Sequence, residues 1–95
     1  MNTAVQTLAE QALPILHRYG VTRAGIFGSR ARGDPNANSD LDILVDLPEG
    51  STLLDLVGLQ LDLGDALGLK VDAHTYRSLH PLLRDRILKE EIPIL

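Results

Sequence analysis

Residues 25–47 read GIFGSRARGDPNANSDLDILVDL, and this stretch decides the fold that the sequence predicts. Its first part is apolar and ends at Gly28 and Ser29, whereas its last part alternates apolar side chains with carboxylates. The Gly, Ser, Asn, Asp and Pro residues in between are typical of a loop, so residues 28–39 are predicted to form a loop that can contain one helical turn. The stretch therefore predicts two neighbouring strands joined by a long polar connection.

The second of these strands presents two chemically different faces. Side chains two residues apart on a strand point to the same face. The alternation therefore predicts one apolar face and one acidic face, with Leu41, Ile43, Val45 and Leu47 on the first and Asp40, Asp42, Leu44 and Asp46 on the second.

The remaining segments predict an order of helix, strand, strand, helix, strand and helix, with a short final strand. Apolar spacing and turn residues predict helices over 3–19, 53–68 and 79–91 and strands over 21–27, 41–47, 70–76 and 92–95. Pro14 is expected to kink or divide the first helix, and Ser78 to cap the last one. This order predicts an α/β (α+β) fold, a small mixed β-sheet flanked by helices on one side, in a single domain spanning 1–95.

The segment 53–68 fits two interpretations. Leucines at alternate positions and two glycines favour a strand, whereas its length and its few β-branched residues favour a helix. Thr52 and Asp55 resemble a capping box, and Gly68 is a typical helix end, so a helix is preferred. Its leucines exceed one stripe, which leaves an extra face for a partner or for an oligomer.

Composition and charge exclude several classes of protein. The chain has 95 residues, a formal net charge of −4 and no cysteine. The acidic balance argues against a stable complex with duplex nucleic acid, and the lack of cysteine excludes disulfides and thiolate metal sites. Glu10 and Gln11 interrupt any signal peptide, and no apolar run approaches a membrane span. We therefore expect a cytoplasmic protein without a membrane partner.

The aspartates at the start of the second strand suggest a metal site. Two ionised carboxylates at positions 40 and 42 repel each other, and a divalent cation removes that repulsion. Mg²⁺ is typically bound by one or two carboxylates together with phosphate oxygens and water. Taken alone, however, the pair also fits a turn cap at Asp40 and a solvated sheet face at Asp42.

The residues before the aspartates suggest phosphate binding. A glycine lets backbone N–H groups approach phosphate oxygens, Ser29 adds a hydroxyl, and Arg30 and Arg32 can neutralise charge. An ordinary turn with exposed arginines is the alternative. The combination of Gly28-Ser29 with Asp40-x-Asp42 and a later Asp72 favours a site in which two metal ions could bind nucleotide phosphates and activate a hydroxyl. His74 would share the face of Asp72 and could contact the nucleotide, although exposure or packing is preferred for it; His17 and His80 are given no role.

This pattern resembles the signature of the DNA polymerase β-like nucleotidyltransferase superfamily. The stretches GSRARGD, SDLDILVDL, LLDLVGL and PLLRDRIL resemble its minimal nucleotidyltransferase (MNT) branch over nearly the whole chain. The resemblance implies that Gly28 and Ser29 hold the nucleoside triphosphate, that Asp40 and Asp42 bind Mg²⁺, and that Asp72 completes the metal site and assists deprotonation of the acceptor hydroxyl.

The resemblance also implies a partner and a reaction. MNT proteins commonly act as antitoxins of HEPN ribonuclease toxins and can transfer AMP from ATP to a tyrosine of the toxin. An antitoxin that neutralises a HEPN toxin by binding alone is the alternative. Modification of a small molecule is a third interpretation, which the lack of a predicted second domain disfavours.

Overall fold

The structure, a computed structural model, describes residues 3–34 and 40–95. Within these ranges the chain forms four α-helices, one 3₁₀ turn and four strands. Their order is α1 (Thr3–Arg18), β1 (Arg23–Phe27), α2 (Ser29–Arg32), β2 (Leu41–Asp46), α3 (Leu53–Leu67), β3 (Val71–Thr75), the 3₁₀ turn (Tyr76–Ser78), α4 (Pro81–Glu90) and β4 (Ile92–Pro93).

The strands form one mixed sheet in the order β3-β2-β1-β4. β1 runs antiparallel to both β2 and β4, while β2 and β3 are parallel and α3 connects them. The sequence therefore predicted the α+β class and the mixed sheet correctly. The predicted helical turn after Gly28 is also present as α2, whereas part of the predicted loop, residues 35–39, lies outside the described residues.

One face of the sheet forms the core with α1 and α3. The predicted apolar face of β2 is confirmed, because Leu41, Ile43 and Val45 are buried. They pack in one cluster with buried side chains of the neighbouring elements, including Ala24, Ile26, Val71, Ala73, Leu16, Leu59 and Leu63. The core therefore consists of aliphatic side chains, which pack closely between one face of the sheet and the two helices.

The second face of the sheet is covered at the end away from the aspartates. Glu91 crosses Gly25, where a Cβ atom would overlap the glutamate side chain, and Leu44 opposite Gly25 is fully buried. The Tyr76 hydroxyl donates a hydrogen bond to Glu91, and the Arg23 guanidinium lies 4.0 Å from the centre of the Tyr76 ring. Glu91 and Tyr76 do not extend over the other end of this face, so the carboxylates of Asp42 and Asp72 are half-buried there rather than enclosed.

The ambiguous segment is a helix. Thr52 and Asp55 form a complete capping box at the N-terminus of α3, and Gly68 ends the helix in the left-handed conformation. Leu59 and Leu63, four residues apart, are fully buried. The alternate leucines that suggested a strand therefore divide between a buried side and an exposed side of one helix.

Several predicted details of the elements differ from the structure. α4 begins at Pro81, and its N-cap is His80 rather than Ser78, because the His80 ring nitrogen Nδ1 accepts a hydrogen bond of 3.1 Å from the Leu82 amide. Strand β3 ends before Tyr76, which begins the 3₁₀ turn. Of the two effects predicted for Pro14, a kink or a division, the division does not occur, because α1 continues through the proline as one helix.

The cap at His80 makes a stability prediction. Replacing His80 by alanine should lower the free energy of unfolding by about 0.5–1 kcal/mol, because the first turn of α4 loses a hydrogen-bond acceptor. Urea denaturation measures this loss. The control is His17→Ala, which replaces an exposed histidine in the last turn of α1. It should change the free energy of unfolding by less than about 0.5 kcal/mol. Equal effects of the two substitutions would contradict the capping role.

Candidate active site

The register of the sheet brings two predicted site carboxylates together. In the antiparallel pair, Asp42 near the start of β2 lies opposite Phe27 at the end of β1. In the parallel pair, Asp42 lies beside Asp72 of β3. Both carboxylates are on the face that α1 and α3 do not cover. The structure therefore forms an acidic pair where β1 ends and where β2 and β3 begin.

Gly28 closes one side of this pair. Its backbone has φ 77° and ψ −155°, a conformation available essentially to glycine alone. A Cβ atom at this position would overlap the Asp42 carboxylate. The loop that starts at Gly28 therefore passes directly against the aspartate, which brings two of the predicted site residues into contact.

The surroundings of Asp42 disfavour its ionised form. Burial raises the pKa of the Asp42 carboxyl, and the Asp72 charge raises it further. Asp40 adds a smaller repulsion, whereas His74 and Arg32 oppose the shift. A carboxylate held beside a second one in a half-buried place is a common feature of functional sites.

Asp40 lies just before β2, and its carboxylate pairs with a lysine instead of lying beside a second carboxylate. Its carboxylate is 3.6 Å from the Lys70 amino group, and the lysine side chain is 73% exposed. Leu41 also donates a backbone hydrogen bond of 2.9 Å to the Lys70 carbonyl, so the starts of β2 and β3 are joined at this point. Ion pairs with this exposure contribute little to stability, so Asp40 can exchange the lysine for another cation at low cost.

The predicted metal ligands fit Mg²⁺ by their chemistry. Within residues 3–34 and 40–95, no group of three or more His, Asp or Glu side chains stands ready to hold an ion. Asp42 and Asp72 nevertheless supply the one or two carboxylates that Mg²⁺ requires, and their mutual repulsion is the kind that a cation relieves. Whether Asp40 joins them therefore depends on its release from Lys70.

The predicted phosphate-binding residues lie on α2. Ser29 and Arg30 are half-buried there, next to Gly28. Arg32 is held by two carboxylates, that of Glu90 at 3.1 Å and that of Asp34 at 3.3 Å. α2 thus carries positive charge beside the acidic pair, with Arg32 connected to the last residue of α4.

Sequence reasoning missed the ion-pair partners of the predicted site. Lys70 and Glu90 contact Asp40 and Arg32, respectively, but neither stands at a spacing that a motif would reveal. His74 is exposed and packs edge-on against Phe27, with ring centres 5.8 Å apart. This agrees with the predicted exposure or packing of His74.

Comparison with known proteins gives one family over most of the chain. The family described as "Nucleotidyltransferase domain" matches residues 9–94. A Methanocaldococcus jannaschii protein with the provisional name protein adenylyltransferase MJ0435 is 50% identical over 91 residues, which cover 96% of this chain and 98% of that protein. Protein adenylyltransferase MntA of Thermococcus cleftensis is 40% identical over 75 residues, covering 79% and 76% of the two chains.

Solved structures share the fold. One solved structure is that of a protein provisionally described as a minimal nucleotidyltransferase. It superposes on this chain with a TM-score of 0.81 at 43% identity, and the match covers 95% of this chain and 92% of the other. An MNT antitoxin complex with a tri-AMPylated Shewanella oneidensis HEPN toxin matches with a TM-score of 0.74 at 20% identity, covering 95% and 71% of the two chains. At that lower identity, the likeness shows the fold alone. Among the described residues, no helix is long and apolar enough to cross a membrane.

Proposed function

This chain belongs to the nucleotidyltransferase domain family, and on that premise we propose that it transfers AMP from ATP to a hydroxyl of a partner protein. The observation that carries the proposal is the contact of Gly28 with Asp42 beside Asp72. The predicted phosphate-binding segment that starts at Gly28 and the acidic pair thus meet at one point of the sheet. The acceptor is proposed to be a tyrosine of a HEPN ribonuclease toxin, which this protein would neutralise as an antitoxin.

The proposed site needs Mg²⁺. Asp42 and Asp72 would hold it, and Asp40 would join them when it leaves Lys70, so that one or two ions could be held. Bound Mg²⁺ would neutralise the charge of the triphosphate and lower the pKa of the acceptor hydroxyl.

The chain's own residues would position the reactants. The backbone at Gly28 and the Ser29 hydroxyl would bind phosphate oxygens, and Arg30 and Arg32 would balance their charge. The acceptor oxygen would form a bond to the α-phosphorus, the bond to the β-phosphate oxygen would break, and pyrophosphate would leave. Asp72 would accept the proton of the hydroxyl. Such a transfer depends on positioning and charge stabilisation, which these residue types provide.

The partner is proposed from the relatives. Both relatives described above are named as protein adenylyltransferases, and one structure of the same fold holds an AMPylated HEPN toxin. A hydroxyl from a second protein could reach the acidic pair, because Asp42 and Asp72 are only half-buried. The shared name and this accessibility favour a protein acceptor.

The test combines the protein with ATP labelled at the α-phosphate, Mg²⁺ and a HEPN protein as the proposed partner. We expect label on a tyrosine of the HEPN protein and loss of its ribonuclease activity. The variant Asp40→Ala/Asp42→Ala is the control and should transfer no label. If that variant neutralised the toxin as well as the wild type while neither labelled it, the protein would act by binding alone and the proposed transfer would be wrong.

Lys70 gives a separate prediction about the proposed metal site. Lys70→Ala should lower the Mg²⁺ concentration needed for half-maximal transfer by about two- to fivefold, because Asp40 loses a competing cation worth up to about 1 kcal/mol. The stability of the protein should change by less than about 0.5 kcal/mol. Titration of transfer with Mg²⁺ and urea denaturation measure the two effects. An increased requirement for Mg²⁺ would show that Lys70 supports the site instead.

A further inference from the structure

The two sides of the acidic pair formed by Asp42 and Asp72 differ in what surrounds them. On the β1 side, Gly28 lies against Asp42, and α2 follows directly after it. Arg32 of α2 lies 3.1 Å from the carboxylate of Glu90, so the end of α4 also stands on this side. On the other side, Asp72 belongs to β3, which is an edge strand of the sheet. The β1 side is therefore occupied by neighbouring elements of the chain, whereas the β3 side lies at the margin of the sheet.

A nucleoside triphosphate bound as proposed above would give these two sides different roles. The proposed phosphate-binding residues all follow β1, so the departing pyrophosphate would be held on that side. In phosphoryl transfer the attacking and leaving oxygens lie roughly in line, on opposite sides of the phosphorus. The acceptor hydroxyl would therefore approach from the β3 side, where Asp72 stands to accept its proton.

His74 is the next side chain of β3 on the same face as Asp72, because side chains two residues apart on a strand share a face. His74 is exposed, and its ring packs edge-on against Phe27, with ring centres 5.8 Å apart. Phe27 is the last residue of β1 and lies opposite Asp42, so the two rings meet across β2. Phe27 thus holds the His74 ring beside the acidic pair while part of that ring stays open to solvent.

Exposure distinguishes His74 from its neighbours on this face. Leu44, its partner in the parallel register, is fully buried. Tyr76, two residues further along the chain, is 5% exposed, and its hydroxyl donates a hydrogen bond to Glu91. Because β3 contributes only Asp72 and His74 to this face, these are the two side chains of the strand that an acceptor can contact there.

The spacing of these two residues suits a tyrosine. Residues two apart on a strand are separated by about 6.5 Å along its axis. With its hydroxyl at Asp72, a tyrosine side chain can lie along β3 so that its ring meets the ring of His74. A serine or threonine hydroxyl at the same place leaves the His74 ring uncovered, because these side chains are too short to span the distance. Since offset and edge-to-face contacts between rings are favourable, His74 would favour an aromatic acceptor.

We propose, on the basis of the AMP transfer proposed above, that His74 determines acceptor specificity by packing against the ring of the acceptor tyrosine while Asp72 receives the proton of its hydroxyl. Phe27 is a positioning residue, because it holds the His74 ring in place. Ring contacts of this kind change an equilibrium by roughly two- to tenfold. The contact therefore gives selectivity for tyrosine over aliphatic hydroxyls and leaves ATP binding to the β1 side.

Steady-state transfer of labelled AMP to a HEPN protein is the first test. His74→Ala should lower kcat/KM for the HEPN protein by roughly two- to tenfold and leave KM for ATP unchanged. His74→Phe, which keeps a ring, should restore transfer, whereas His74→Asn, which keeps a polar group without a ring, should resemble His74→Ala. The control His17→Ala, at an exposed histidine of α1, should have no effect. Undiminished transfer by His74→Ala, or an equal loss in His74→Phe, would overturn the proposal.

Binding of two adenylylated probes is a readout that requires no turnover. The amides of O-adenylyl-tyrosine and O-adenylyl-serine are added with Mg²⁺, and the His74 ring signals are followed by NMR, with His74→Ala to assign them. Both probes should bind through their AMP, but only the tyrosine probe should shift the His74 signals, because only its ring reaches them. Equal shifts with both probes would place the nucleotide at His74 and overturn the proposal, as would no shift with the tyrosine probe at saturation. A protein that bound neither probe and transferred no label would contradict the proposed function itself.

Discussion

Replacing Asp42 by asparagine is expected to reduce AMP transfer by about 100- to 1,000-fold or more, because the site loses a charge at the position where nucleotide and metal would meet. The half-buried carboxylate beside Asp72 is the central element of the proposed site. The measurement is transfer of labelled AMP at saturating ATP and Mg²⁺. Asp46→Asn is a matched control on the same strand and the same face and should retain transfer, since Asp46 lies at the other end of β2. Equal losses in both variants would contradict the assignment.

The same substitution should make the metal-free protein slightly more stable at neutral pH. The folded state raises the pKa of Asp42 above 3.8, so it binds this proton more tightly than the unfolded state does. Stability from this group is therefore fully present below pH 3.8 and is lost as pH rises through the folded pKa. Asparagine avoids that loss, which for a partly exposed group is at most about 1 kcal/mol.

Paired denaturation experiments with EDTA measure this effect. The advantage of Asp42→Asn over the wild type should be present at pH 7 and vanish near pH 3, because the wild-type carboxyl is protonated there in both states. A variant that is less stable than the wild type at pH 7 without metal would indicate that Asp42 supports the fold. In that case the loss of transfer would no longer identify a site residue.

Gly28→Ala is the second substitution with a large expected effect. It should lower the free energy of unfolding by about 2–4 kcal/mol, because alanine is strained in the backbone conformation of Gly28 and its Cβ overlaps the Asp42 carboxylate. If the loop moves to relieve this overlap, transfer should fall as well, since Ser29 and Arg30 move with it. Urea denaturation and the transfer assay measure the two losses.

Gly33→Ala is the matched control for Gly28→Ala. Gly33 also has a positive φ, 75°, but its ψ of 26° is the common left-handed conformation, and an added Cβ would have no neighbour within 4 Å. Its cost should be only about 1–2 kcal/mol of backbone strain, without a specific loss of transfer. If the two variants lost stability and transfer equally, the contact of Gly28 with Asp42 would have no special role.

Much of this architecture could be predicted from local sequence, because its causes are local. The alternation of apolar and acidic residues in β2 follows from the two-residue period of a strand and needs no information from elsewhere. The capping box of Thr52 with Asp55 and the end of α3 at Gly68 depend on residues within one helical turn. The start of α4 was mispredicted because a histidine, an uncommon cap, took the place of the expected serine.

The candidate site was predictable in its residues but not in its geometry. The sequence by itself determined that a Gly-Ser turn precedes two carboxylates and that a third lies in a later strand. Only the tertiary structure decided that Asp72 stands beside Asp42, because this depends on the parallel register of strands joined by α3. It also decided that Glu90, 58 residues from Arg32, holds that arginine, and that Lys70 holds Asp40. Such pairings depend on which elements meet in space, and a charge alone carries no information about its distant partner.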